Sequence, residues 1–253
     1  MNKRIYFLAV ALAVVAALPA LSQSRAIELD NFASDFQTVP VMANTQGIGG
    51  GFTTFVSILN PTASAFVVEA NLYDSAGTRR TANISLAAGE QKIYTNFLSD
   101  VFNYTGGGAV TFRAPDSPGG QRNNRFVVNA EVRTSGTNYS TQVPALEFAG
   151  SNARSFTGAV TVDSTYRTNI GCFNQSDAAN AVHATVLDST GTQTISATDL
   201  NLAPNGWLQT NVTGVVSNGI VRFDPSDSAV CYAVVVDNST NDGRVISAAE
   251  YRP

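Results

Sequence analysis

The residue types best suited to chemistry are few in this 253-residue chain: one histidine, two cysteines, scattered carboxylates and a small set of aromatic rings. His183 would need a nucleophile and an orienting acid to act as a general base. It stands in an alternating segment (NAVHATVL), and no Gly-x-Ser-x-Gly turn is present to present a serine. That pattern places it on an outward strand face rather than in a relay. One histidine and two cysteines also fall short of the common zinc ligand sets. Paired carboxylates could perform acid–base work on a glycosidic bond. The candidates Asp163, Asp188, Asp237, Asp242 and Glu250 sit mostly in turns, where Asp is explained by its bonds to backbone amides. The segment Asp237-Asn238-Ser239-Thr240-Asn241-Asp242 has the oxygen-rich composition of a Ca²⁺ loop, and hairpin turns use the same residues. Aromatic rings remain. Tyr73 and Tyr232 fall on the outward sides of their strands, and Trp207 opens a strand after Asn205-Gly206. Such rings can stack on sugars or pack against a neighbouring module. We therefore expect no catalytic residue, no metal site and no cofactor, with Tyr73, Trp207 and Tyr232 as the candidate ligand-binding residues.

The elements that would position these residues come in two copies. Residues 54–78 (TFVSILNPTASAFVVEANLYDSAGT) align with 168–192 (TNIGCFNQSDAANAVHATVLDSTGT) at a constant offset of 114. Asn60 matches Asn174, Asp74 matches Asp188, Gly77 matches Gly191, and His183 takes the place of Glu69. Further on, Phe126–Ala130 matches Ala229–Ala233 and Glu147 matches Glu250 at an offset of 103. The drop reflects longer loops in the first copy, above all Ala114–Asn124. Both copies read as short strands with a period of two, bounded by Asn-Pro, Asp-Ser-x-Gly and Asn-Gly turns, with a helical turn at Asn96–Phe102. The glycine-rich stretch Asn44–Gly51 reads as a flexible hairpin or loop tip; without a following Lys-Ser/Thr it is not a phosphate loop. The expectation is an all-β chain of two tandem antiparallel β-sandwiches of immunoglobulin-like or transducer-like kind, over 37–148 and 155–253.

Cys172 and Cys231 both lie in the second copy, and their counterparts in the first are the apolar Ile58 and Val128. Both thiols should face the core. An exported chain meets an oxidising compartment, so a disulfide between two strands is expected. Export follows from the N-terminus. Lys3 and Arg4 precede the apolar run Ile5–Leu18, and Ala20-Leu21-Ser22 offers small residues for cleavage. Residues 1–22 thus read as a signal peptide and 23–36 as a linker. Cleavage removes two of the fifteen basic residues and leaves thirteen against nineteen acidic ones. A net charge near −6 excludes the basic footprint that nucleic-acid binding needs.

One family resemblance follows from the strand motifs. Thr54-x-Val56-x-Ile58-Leu59-Asn60, the strand ending Leu72-Tyr73-Asp74, Leu86-Ala87-Ala88-Gly89-Glu90 before Ile93, and Phe126–Arg133 resemble the sensory rhodopsin transducer-like β-sandwich family. The resemblance implies a small antiparallel sandwich that binds partners and can form oligomers; it carries no functional residue across. The function expected is a secreted, non-enzymatic binding or structural and adhesion protein of the bacterial envelope or surface, with a protein or glycan partner. The alternative is a carbohydrate-binding or glycan-active protein.

Overall fold

The computed structural model describes residues 33–47, 50–115, 124–147 and 150–251. The signal peptide and most of the linker expected before the first strand lie outside the described residues, as does the centre of the 114–124 loop. Among the described residues the chain is nearly all β. The period of two decides which segments become strands. In Phe66–Tyr73, Phe66, Val68, Ala70 and Leu72 turn inward while Val67 and Glu69 face out.

The first repeat supplies β1 (Phe36–Gly47), β2 (Gly50–Leu59), β3 (Phe66–Tyr73), β4 (Arg79–Leu86), β5 (Gln91–Tyr94), the short helix α1 (Phe97–Phe102), β6 (Gly106–Arg113), β7 (Val127–Thr134) and β8 (Ser140–Val143). The second supplies β9 (Ser155–Val162), β10 (Tyr166–Asn174), β11 (Asn180–Leu187), β12 (Thr194–Leu202), β13 (Trp207–Asn211), β14 (Val216–Pro225), β15 (Ala229–Asp237), β16 (Gly243–Ser247) and β17 (Ala249–Glu250).

The second repeat makes two antiparallel sheets, β12-β11-β14-β9-β17 and β13-β10-β15-β16. The first uses the same order but joins its two layers into one sheet, β4-β3-β6-β1-β2-β7-β8, with β5 also paired to β2. The join is β1, which pairs β6 along Phe36–Asn44 and β2 along Asn44–Gly47, with an irregularity between Val39 and Met42. Of the hairpin and loop tip expected over Asn44–Gly51, the hairpin is what forms, with more of the stretch in its ladder than expected. Asn44–Gly47 and Gly50–Gly51 are ladder residues of a long hairpin. Backbone pairing needs no side chain, and a Cβ on Gly47 would sit 2.5 Å from the Phe52 ring.

Each repeat encloses its own core. Val56, Ile58, Leu72, Phe97 and Phe112 centre the first; Ile170, Val186, Val221 and Phe223 centre the second. Cys172 and Cys231 are bonded to each other within the second core. They stand directly opposite on β10 and β15, with Cα atoms 4.1 Å apart. Ile58 and Val128 stand opposite one another in the same way on β2 and β7. The described residues from Ala33 onward form one compact unit, because a face of the second repeat is covered by the first.

The repeated turn residues act as scaffold. Asn60 is fully buried and donates to the Ser64 and Ala87 carbonyls, both at 2.8 Å, while its Oδ1 accepts from the Thr62 amide. Asn174 is equally buried and donates to the Ala178 and Ala203 carbonyls. Asp74 and Asp188 each accept backbone amides across a hairpin whose Gly77 or Gly191 takes positive φ.

Candidate functional site: the cleft between the repeats

The outer face of sheet β13-β10-β15-β16 decides the site, and strand register orders its side chains. Asn211, Asn169, Val234 and Val245 form one cross-strand row, and Gln209, Gly171, Tyr232 and Ser247 form the next. Trp207 and Phe173 stand opposite each other beyond them, and Arg167 lies on the same face at the other end. Part of this face is sealed against the first repeat. The Tyr73 ring meets Phe173 with centroids 5.1 Å apart. The Trp207 amide donates to the Asp74 carbonyl at 3.1 Å. The indole lies over Gly107, where a Cβ would come within 2.8 Å of the ring. Its Nε1–H donates to the Tyr232 hydroxyl at 3.0 Å, and that hydroxyl donates to Gln209 Oε1, also at 3.0 Å. Burial pushes the Tyr232 phenol far above its usual range, with the Trp207 bond only partly opposing it, so the group stays a neutral hydroxyl.

Of the two readings of these rings, packing against the neighbouring repeat describes Tyr73 and Tyr232. Tyr232 does lie on the outward side of its own sandwich, but it is fully buried and belongs to the core of the other repeat. It offers no ring face to solvent. Tyr73 also packs across the junction. Trp207 alone of the three lines open space.

That space is a cleft of about 560 Å³ between the repeats. One wall is Val41, Met42 and Thr45 of β1 with Phe52 of β2; the other is Arg167, Asn169, Trp207, Gln209 and Asn211. Its size is that of small-molecule sites. Among the described lining residues Arg167 carries the single charge. Its guanidinium donates to Asn238 Oδ1 at 3.1 Å and to Asn241 Oδ1 at 2.7 Å, both in the turn after β15. Burial draws its pKa down and Asp237 opposes that. The turn expected as a Ca²⁺ candidate uses its oxygens in this way. Asp237 Oδ1 accepts the Ser239 and Thr240 amides and the Ser239 hydroxyl, which hold its carboxyl below the usual range. Among the described residues no group of three His, Cys, Asp or Glu side chains could hold a metal.

A second groove of about 590 Å³ is lined by Tyr139, Tyr166, Asp237, Asp242 and Arg244 among others. Both tyrosines are more than one-third exposed. Sequence reasoning missed them because they stand at strand edges with no distinguishing pattern. The two carboxylates sit at opposite ends of one turn, and Asp242 Oδ1 accepts the Gly243 amide. Asp163 caps its turn similarly, through the Thr165 and Tyr166 amides. His183 is half exposed and pairs its Nδ1 with Asp199, directly opposite on β12, at 2.6 Å.

The equivalent outer face of the first repeat differs in kind. At the positions matching Tyr232, Val234, Val236 and Val245 it carries Asn129, Glu131, Arg133 and Gln142. Arg133 pairs with Glu131 and covers the Phe55 ring at 4.0 Å.

Compared with known proteins, the chain matches no described family model and no curated protein. Among the described residues no helix is long and apolar enough to cross a membrane.

Proposed function

We propose that the chain is a non-enzymatic binding protein, exported to the bacterial envelope or surface, that takes its ligand or partner in the cleft between its repeats. The carrying observation is the lining of that cleft. It combines apolar walls with convergent polar groups whose hydrogen-bonding capacity the protein does not use up, as ligand sites do. Asn169 and Asn211 make no side-chain hydrogen bond among the described residues, and Gln209 uses only its oxygen. The buried disulfide and the charged-then-apolar N-terminus support export. The likeness of the strand motifs to transducer-like sandwiches supports a role in partner binding.

Trp207 is the chain's single tryptophan, so its emission reports on this cleft. A panel of oligosaccharides and peptides, read by Trp207 emission and melting temperature, should yield a binder. Gln209→Ala and Arg167→Ala should each weaken that binder by about tenfold or more, the loss expected for one good hydrogen bond. A panel that leaves both signals unchanged counts against the cleft.

A second reading, a glycan-active protein, is favoured by the exposed Tyr139 and Tyr166 beside Asp237 and Asp242. A glycosidase separates its carboxyl pKa values by raising one, whereas the Asp237 carboxyl is held low. Glycan hydrolysis abolished by Asp242→Asn would establish this reading in place of the first.

A further inference from the structure

Among the described residues Arg167 has no contact anion. Its partners Asn238 and Asn241 are neutral amides that fix the guanidinium in place and use two of its five N–H groups. Asp237, the carboxylate that acts on it electrostatically, has its Oδ1 occupied by turn amides and faces the second groove. Among the described residues no carboxylate lines the cleft, although the chain carries more acidic than basic residues. A half-buried positive charge among neutral groups attracts an incoming anion more strongly than an exposed one, and a planar guanidinium suits a carboxylate.

The rest of the face specifies what carries that carboxylate. The pleat of β10 and β13 sets Asn169 beside Arg167, and Gln209 and Asn211 across from them. Amide side chains donate and accept at once, which matches hydroxyl groups. The Tyr232 hydroxyl occupies Gln209 Oε1 and leaves the Gln209 NH₂ to donate into the cleft. Trp207 and Phe52 add ring surface.

We infer that the cleft binds an acidic oligosaccharide, with Arg167 pairing a sugar carboxylate, Asn169, Gln209 and Asn211 meeting its hydroxyls, and Trp207 lying against its C–H face. This rests on the cleft being the binding site, and the test separates the two statements. The full mature chain is titrated with trigalacturonic acid and with its methyl ester, following Trp207 emission. The acid should bind at least about tenfold more tightly than the ester. Its advantage should shrink as salt rises from about 50 to about 500 mM. Arg167→Gln should remove the difference. Because that variant also loosens the 237–242 turn, Asn169→Asp serves as the second probe: it removes neither Arg167 bond, places a carboxylate in the cleft, and should weaken the acid about tenfold more than it weakens the ester. If acid and ester titrate alike, or if Asn169→Asp binds the acid as wild type does, the acidic-ligand inference falls and the cleft stands. If neither sugar perturbs Trp207, the inference falls outright, and the fate of the cleft then depends on the wider panel.

Discussion

Asn60 and Asn174 occupy the same place in the two repeats because each closes a backbone gap that no strand can close. Two carbonyls from separate loops converge on each amide, and the asparagine itself is fully buried. Asn174→Ala should therefore cost about 2 kcal/mol, the loss of two hydrogen bonds from a buried amide, measured by urea unfolding. Asn174→Asp should cost a similar amount, since it replaces a donor by an acceptor. A loss under about 1 kcal/mol for either would refute this role. Turn chemistry of this kind was legible in the sequence, because Asn and Asp-Ser-x-Gly act on their own neighbourhood. Tyr232 was not. Alternation along β15 identified the face its ring occupies, but only the other repeat determines what covers that face.

At the scale of elements, the paired strands β10–β15 and β2–β7 solve one packing problem in two ways, a disulfide in one and an Ile–Val contact in the other. The bond links residues 59 positions apart. A loop of that length gives about 4 kcal/mol in the chain-entropy account. Cys172→Ala with Cys231→Ala should lose about that much and open a cavity besides. Cys172→Ile with Cys231→Val, which writes in the first repeat's solution, should fold and unfold at higher urea than the Ala pair. Equal midpoints for the two double variants would show that the strand pairs are not equivalent. The alternating strands and the bonded pair could be read from the period of two and from the repeat offsets. The pairing of β1 with β2 as far as Gly47 and Gly50 could not, since glycine in a flat ladder leaves the same sequence trace as glycine in a loop. The cleft was equally hidden: its walls come from β1, β2, β10 and β13, which are distant in sequence, and no local pattern links them.

Considered whole, the molecule is two copies of one sandwich made unequal by a single face. In the second repeat the face carries Tyr232, Val234, Val236 and Val245 and lies against the first. In the first repeat the same positions hold Asn129, Glu131, Arg133 and Gln142. A tandem fold that docks the face of one unit on the end of the previous unit has a built-in direction of growth, and head-to-tail contacts of this type propagate into fibres when nothing stops them. In the first repeat the Glu131–Arg133 ion pair stands on that face, and polar terminal repeats cap a solenoid in the same way. Replacing the four residues by their counterparts, as Asn129→Tyr, Glu131→Val, Arg133→Val and Gln142→Val, should make the chain polymerise head to tail. Sedimentation velocity would show this as a concentration-dependent ladder of species absent from the parent chain, and a variant sedimenting as the parent does would mean the polar face is not the terminator. On this expectation the charge and amides of the first repeat's face are what would hold stacking to one junction.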